Sequence, residues 1–215
     1  MTTPSAVIFD CDGVVVDSEG PTFALLGQDL ARHGLPLSLP EMEALFLGGT
    51  VQGVFDKARA LGATLADDWV QDFYARLYDL LAQNTPLIPG ILTVLDALDA
   101  RAIPYAIGSN GSARKMQVTL GQHPGLTARF NGHVYSSQIL GKPKPAPDLY
   151  LHAAQALGVD PHLCVVVEDS APGAMAAKAA GMRCMGYAPH GNPALQATGA
   201  ELFNDMKALL GILRI

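Results

Sequence analysis

The sequence predicts a doubly wound, parallel α/β sheet (a Rossmann-like core) with an α-helical cap inserted after its first strand. Three observations carry that prediction. Two short apolar runs, Ala6-Val7-Ile8-Phe9 and Leu163-Cys164-Val165-Val166-Val167, end in acid, Asp10 and Asp12 after the first and Glu168-Asp169 after the second. Continuous apolar runs of this length suit strands covered on both faces, as parallel strands are. Beyond residue 91 strand-like and helix-like segments alternate, the pattern of a parallel sheet wound by crossover helices. Between about Pro21 and Gln83, by contrast, the apolar spacing is mainly helical, and this asymmetry points to an insertion.

Taken in order, the first strand breaks at Gly13, and helical spacing follows over residues 22–33, 41–46, 51–61 and 67–82. Gly34, Pro36, Gly48-Gly49 and Gly62 punctuate those helices. Asn84-Thr85-Pro86 and Pro89-Gly90 mark the return to the core. A helix over 91–101, a strand over 105–108, a helix over 113–120 and a short strand over 133–135 come next. A helix over 147–157, the acid-ended strand, a helix over 171–180 and a strand over 183–186 complete the alternation. The expected division is a core of residues 1–17 and 86–215 and a cap of residues 18–85. Residues 14–18 and 85–90 are the two connections about which the cap should open and close.

At 215 residues, 49% of them apolar, the chain has material for a large core with a smaller insertion. A net charge of -6 with no Lys/Arg cluster argues against nucleic acid and against an anionic membrane surface as partners. Met1-Thr2-Thr3-Pro4 has no basic leader character, and no apolar stretch approaches membrane-spanning length. The expectation is a cytoplasmic protein, monomeric by default. Cys11, Cys164 and Cys184 have no metal-ligand spacing and read as small packed thiols. Trp69, Phe73 and Tyr74 read as the cap's own helix packing.

Ligands of such sheets bind beyond the carboxyl ends of the strands, so the residues just after each strand are read together. Asp10 and Asp12 follow the first strand and Ser109-Asn110-Gly111 the second; Lys142 and Lys144 precede Pro147; Glu168 and Asp169 follow the last acid-ended run. Side chains two apart on an extended strand share a face, so Asp10 and Asp12 can converge while Cys11 alternates away. Carboxylates from two strands suit a hard cation such as Mg²⁺. Ser109 and the amides of a Gly-rich turn suit phosphate oxygens, and a lysine supplies a compact positive charge. Singly, Asp12-Gly13 reads as a turn, Asp169-Ser170 as a helix cap and Ser109-Asn110-Gly111 as a loop. Together they describe one reacting centre.

The segments DCDGVVVDS, GSNGS, GKPKPAPD and VVVEDSAPG, in that order, resemble the four motifs of the haloacid dehalogenase superfamily, nearest its β-phosphoglucomutase-like and small sugar-phosphate phosphatase members. The resemblance implies a phosphohydrolase in which Asp10 attacks phosphorus and forms an aspartyl phosphate. Asp12 would serve as general acid and then base, its carbonyl ligating Mg²⁺. Asp10 and Asp169 would complete the protein's share of the metal shell, with Glu168 ligating or holding a metal-bound water. Ser109 would bond the phosphoryl group, with Asn110 and Gly111 helping through their amides. Both Lys142-Pro143 and Lys144-Pro145 begin lysine motifs of the family, and the spacing of Lys144 to Pro147-Asp148 fits the commoner form. In the cap, the bend at Leu47-Gly48-Gly49-Thr50 should face the core, placing Gly49 and Thr50 against the substrate. The implied substrate is a small phosphorylated metabolite, a sugar phosphate or phosphogluconate-like acid.

Departures from the pattern bear on the activity. Where the mutase branch has a histidine after the first motif this chain has Gly20-Pro21-Thr22, and Gly48-Gly49-Thr50-Val51-Gln52 holds no cap arginine. Residues 67–82 offer Arg76 but no lysine. A phosphatase is therefore the expectation, with a phosphosugar mutase as the alternative. Asp17-Ser18 and Glu19 read equally as a cap on the first inserted helix or as hinge and substrate residues. A receiver-like module that binds Mg²⁺ and phosphate without turnover is the non-enzyme alternative, and the inserted cap argues against it.

Overall fold

The computed structural model describes residues 3–215; Met1 and Thr2, counted with the core above, lie outside the described residues. In chain order the elements are β1 (Ala6–Phe9), α1 (Glu19–Arg32), α2 (Leu39–Phe46), α3 (Val51–Ala60), α4 (Trp69–Gln83) and α5 (Ile91–Ala100). They continue with β2 (Tyr105–Ser109), α6 (Ala113–Leu120), α7 (Pro124–Arg129), β3 (Val134–Ser136), α8 (Ser137–Leu140) and α9 (Asp148–Leu157). The last are β4 (Cys164–Glu168), α10 (Ala171–Ala179), β5 (Arg183–Tyr187), α11 (Pro193–Ala197), β6 (Glu201–Phe203) and α12 (Ala208–Leu213). All strand pairs are parallel, in the order β3-β2-β1-β4-β5-β6. The chain reverses its direction of winding between β1 and β4, so a crevice opens beyond the carboxyl ends of those two strands.

Every residue of β1 is buried, and alternate side chains face opposite layers. Val7 and Phe9 pack with α5, α6 and α12, whereas Ala6 and Ile8 pack with Tyr150, Ala153 and Ala154 of α9 and Ala176 and Ala177 of α10. The small side chains of α9 and α10 let both helices lie close over the strand ends that carry the acids.

The cap holds a hydrophobic cluster of its own. Phe23, Leu26 and Leu30 of α1 meet Trp69, Phe73, Leu77 and Leu81 of α4, the spacing of one helix face in each case. The expected cap helices are present with shifted starts. Helix α1 begins at Glu19 rather than residue 22, because Pro21 falls in its first turn, where a missing N–H breaks no helical bond. Helix α2 begins at Leu39, where the Ser38 amide donates to Glu41 Oε2 at 2.8 Å. The connections to the core run side by side: Asp17 N–H donates to Pro86 O at 2.8 Å and Ile88 N–H to Val15 O at 3.0 Å. Helices α7, α8, α11 and α12 and strand β6 were not expected. All are six residues or shorter, too short to show a period.

Arg76, the cap cation singled out above, faces Asp29 of α1 across a 2.6 Å ion pair. Asp29 is 2% exposed and also accepts from the Trp69 indole. Burial pushes its carboxyl up, but the bonds from Arg76 and Trp69 outweigh burial and hold it below the usual range. Arg76→Ala should cost on the order of 2 kcal/mol in urea unfolding, the low side for a buried pair, because the Arg76 side chain is 40% exposed. Asp29, with its lowered pKa, contributes stability that is present at neutral pH and lost as pH falls through that pKa. The difference between variant and wild type should therefore fade in acid; equal stabilities at neutral pH would refute the ion-pair account.

Candidate active site

The site is built on the turn after β1. The Asp10 amide donates to Val167 O at 2.9 Å, carrying the β1–β4 pairing one residue past the strand and fixing Asp10 at the sheet edge. Gly13 then adopts φ +76°, and a Cβ there would lie 2.1 Å from Asp169 Oδ2. A side chain would thus push the β4 acid away from the β1 turn. Cys11 points into the core between them, as alternation requires.

Lys144 is the ionic centre of the crevice. It is 5% exposed; its ammonium donates to Asp10 Oδ1 and, at 2.7 Å, to Glu168 Oε1. Burial disfavours the charged amine, but Asp10 and Glu168 outweigh burial and hold it protonated above the ordinary lysine range. Asp10 answers differently. Burial dominates over the attraction of Lys144, and its carboxyl is pushed up to about 7.

Asp12 stands at the other side of the cavity. Its Oδ1 accepts from Ser18 Oγ and from Lys115 Nζ at 2.8 Å, and Ser109 Oγ lies 3.5 Å from its Oδ2. Burial acts to raise its pKa, but Lys115 and the Ser18 hydroxyl prevail and keep it low. Glu168 and Asp169 part company. Glu168 is fully buried, with Oε1 accepting from Lys144 and Tyr150 and Oε2 from the amides of Asp169 and Ser170 and from Ser170 Oγ. Gly173 makes room for it, since a Cβ there would fall 1.7 Å from Glu168 Oε1. Asp169 instead faces Gly13, where Glu19 of α1 also comes close, at 3.2 Å from a Cβ placed there. Burial, then Glu19 and Glu168, push Asp169 well above the carboxylate range, and burial with Asp12 pushes Glu19 up to about 8.

Five carboxylates, Asp10, Asp12, Glu19, Glu168 and Asp169, therefore line one cavity with two lysines, Lys115 and Lys144. Among the described residues no three His, Cys, Asp or Glu side chains form a ready-made cation cage. The donor chemistry nevertheless suits a hard divalent cation: the donors are oxygens, negative charge is in excess, and Gly13 leaves Asp169 free to approach the Asp10 turn.

A family model for haloacid dehalogenase-like hydrolases matches residues 4–181, and thus spans the whole site. The chain belongs to that hydrolase family. Among curated relatives it is 32% identical to 6-phosphogluconate phosphatase of Escherichia coli K12, over 90% of this chain and 87% of that one. It is 31% identical to hexitol phosphatase B of the same organism, over 85% and 84%. The chain spans only about half, 47%, of the Arabidopsis thaliana bifunctional riboflavin kinase/FMN phosphatase and 63% of a CBBY-like protein from that plant. A haloacid dehalogenase-like protein of unknown function from Agrobacterium tumefaciens superposes with TM-score 0.84 at 32% identity, covering 98% of this chain and 97% of that one. A family hydrolase from Deinococcus radiodurans, solved with phosphate and sodium bound, gives 0.75 at 35% over 98% and 94%.

Within this haloacid dehalogenase-like hydrolase the structure separates the two lysines. Lys142 is not brought to the site: its side chain is 64% exposed and pairs with Asp148 at 2.7 Å, at the start of α9. The turn Gly141-Lys142-Pro143 runs over the surface before the chain dives, which is why only Lys144 reaches Asp10. Asn110 acts as a bracket; its side chain accepts from the Lys144 amide at 2.9 Å and donates to Gly48 O at 2.9 Å. The Gly111 amide is engaged by Ser109 Oγ at 2.9 Å. Gly49 and Thr50 line the cavity, the Thr50 hydroxyl capping α3 through the Gly53 amide at 3.0 Å. Gly48 carries the closer contact: at φ +72° it abuts Ser170, where a Cβ would meet Oγ at 2.5 Å.

No motif points to Lys115 or Tyr150, and Ser18 and Glu19 fit a helix cap as well as a hinge or substrate role from sequence alone. For Lys115 there was a signal, a cation in the first turn of α6, where the helix dipole disfavours positive charge. Ser18 reads in the sequence as an ordinary helix cap, but in the structure it makes no side-chain cap bond to α1 and its hydroxyl is spent on Asp12. Tyr150 carried no signal; its role follows from α9 lying over β1 and β2, from where its hydroxyl reaches Glu168 at the end of β4.

Proposed function

We propose that this chain is a Mg²⁺-dependent phosphatase that hydrolyses a small phosphomonoester through an aspartyl phosphate on Asp10. The observation that carries the reading is a buried carboxylate, Asp10, held by Lys144 in the same cavity as a second carboxylate, Asp12, and the Ser109 hydroxyl. An Asp10 oxygen attacks phosphorus as the bond to the leaving oxygen breaks, and Asp12 gives that oxygen its proton. Water then attacks the aspartyl phosphate on the phosphorus, Asp12 takes its proton, and Asp10 and inorganic phosphate are released. Dividing the reaction replaces one poorly assisted attack by water with two assisted displacements.

Asp12 starts ionised, the form the second step uses; a substrate bound as its monoanion supplies the proton the first step needs. Lys144 places positive charge beside the nucleophile and the incoming phosphoryl oxygens, and Ser109 offers them a hydroxyl. Asp10, Asp169 and the Asp12 carbonyl would hold Mg²⁺, which supplies charge neutralisation on the phosphoryl oxygens. Glu168, its oxygens already engaged, serves by positioning Lys144. The cap residues lining the cavity include no cation among those described, so nothing here favours a mutase that must grip a second phosphate.

The catalytic residues address the phosphoryl group and are indifferent to the alcohol; sugar-acid and hexitol phosphates are named for the relatives. The test is phosphate release from p-nitrophenyl phosphate and small monoesters. Activity should vanish on treatment with EDTA and return with excess Mg²⁺. Full turnover in EDTA would sink the metal assignment, and no release with Mg²⁺ would sink the hydrolase reading.

A further inference from the structure

We infer that the alcohol leaving group of the substrate is predominantly apolar, an alkyl or arylalkyl body rather than a polyol; this rests on the phosphatase reading of the same cavity. The cavity, about 100 Å³, is two-sided. Its core side carries the acids and lysines, and its cap side is walled by Phe23, Leu26, Phe46, Val54, Phe73 and Leu77. Those six side chains belong to the cap's hydrophobic cluster, so the cavity opens directly into it.

The cap's hydrogen-bonding supply is small. No Arg, Lys, His, Asn or Gln of the cap lines the cavity among the described residues. Arg76, next to Leu77 and two residues from Tyr74, is turned to Asp29. Glu19 lies beside Asp169 at Gly13, on the acidic side of the cavity. Three hydroxyls remain, and each is partly spent. Thr22 donates to Ser18 O at 2.7 Å, Thr50 accepts from Gly53, and Tyr74 accepts from Gln138 of the core at 2.9 Å. A hexitol chain brought into this chamber would exchange water for phenyl and isopropyl groups at most of its hydroxyls, and a buried hydroxyl without a partner is disfavoured. An alkyl chain of the same length is favoured by the same wall. Differences of a methylene in apolar pockets shift specificity by ten-fold or more.

The experiment compares size-matched primary phosphates in the presence of Mg²⁺: n-butyl phosphate with erythritol 4-phosphate, and n-hexyl phosphate with sorbitol 6-phosphate. All leave as primary alkoxides, so chemistry alone gives the alkyl members no advantage. The expected result is a kcat/KM at least ten-fold higher for each alkyl ester, carried mainly by KM. Val54→Thr, which keeps the shape and adds a hydroxyl, should raise KM for n-hexyl phosphate several-fold. Equal or better turnover of the polyol phosphates overturns the inference and leaves the phosphatase reading intact, as does an alkyl preference that Val54→Thr does not touch. Release from p-nitrophenyl phosphate but from none of the four overturns the inference alone, and no release from any of the five overturns the phosphatase reading itself.

Discussion

Asp10→Asn should lower phosphate release by a factor on the order of 10⁴ or more, because it removes the nucleophile on which both steps of the proposed reaction depend. Asparagine keeps the shape and a carbonyl oxygen for Lys144, and Glu168 still holds that lysine at 2.7 Å, so the fold should persist. Circular dichroism and thermal unfolding close to wild type would verify this. Rapid quenching during turnover should show a phosphorylated wild-type protein and none in the variant. Retention of more than a few per cent of activity would remove Asp10 from the mechanism. Water would then have to be the attacking group, with Asp12 as its base.

Lys144→Met should also be severe, and in two respects. Activity should fall by about 10³-fold, the scale of losing one preorganised charge at a phosphoryl group. Stability should fall by about 3 kcal/mol, because Asp10 and Glu168 lose their common cation in a site where the Lys144 side chain is 1% exposed. Lys142→Met is the matched control. An exposed pair with Asp148 is worth well under about 1 kcal/mol, and activity should stay within about two-fold of wild type. If the two variants exchanged phenotypes, the path of the 141–145 turn would be wrong.

Much of this was legible in the sequence because each signal is local. The runs Ala6–Phe9 and Cys164–Glu168 are strands from composition alone, and the acids that follow them fall on the sheet edge for that reason. The four-residue period of Trp69, Phe73, Leu77 and Leu81 marks α4 as the cap's inner helix. The segments the sequence did not announce, α7, α8, α11, α12 and β6, are short pieces whose apolar residues answer to neighbours rather than to a period. Cys11 was placed by strand alternation, which needs nothing beyond the sequence.

By itself, then, the sequence determined which chemistry the chain carries: strand-end carboxylates, a serine turn, lysines beside prolines, and an insertion of helices. Only the tertiary structure decided how these groups divide the work. It sent Lys144 inward and Lys142 to the surface, closed both oxygens of Glu168 against Lys144, Tyr150 and the turn to α10, and brought Glu19 of the cap to Asp169 of the core. It also put Lys115 on Asp12 and an apolar wall opposite the acids. The reason is physical: residue type and spacing fix what a strand end can offer, whereas charge pairing and burial depend on which elements are packed against it, and those come from distant parts of the chain.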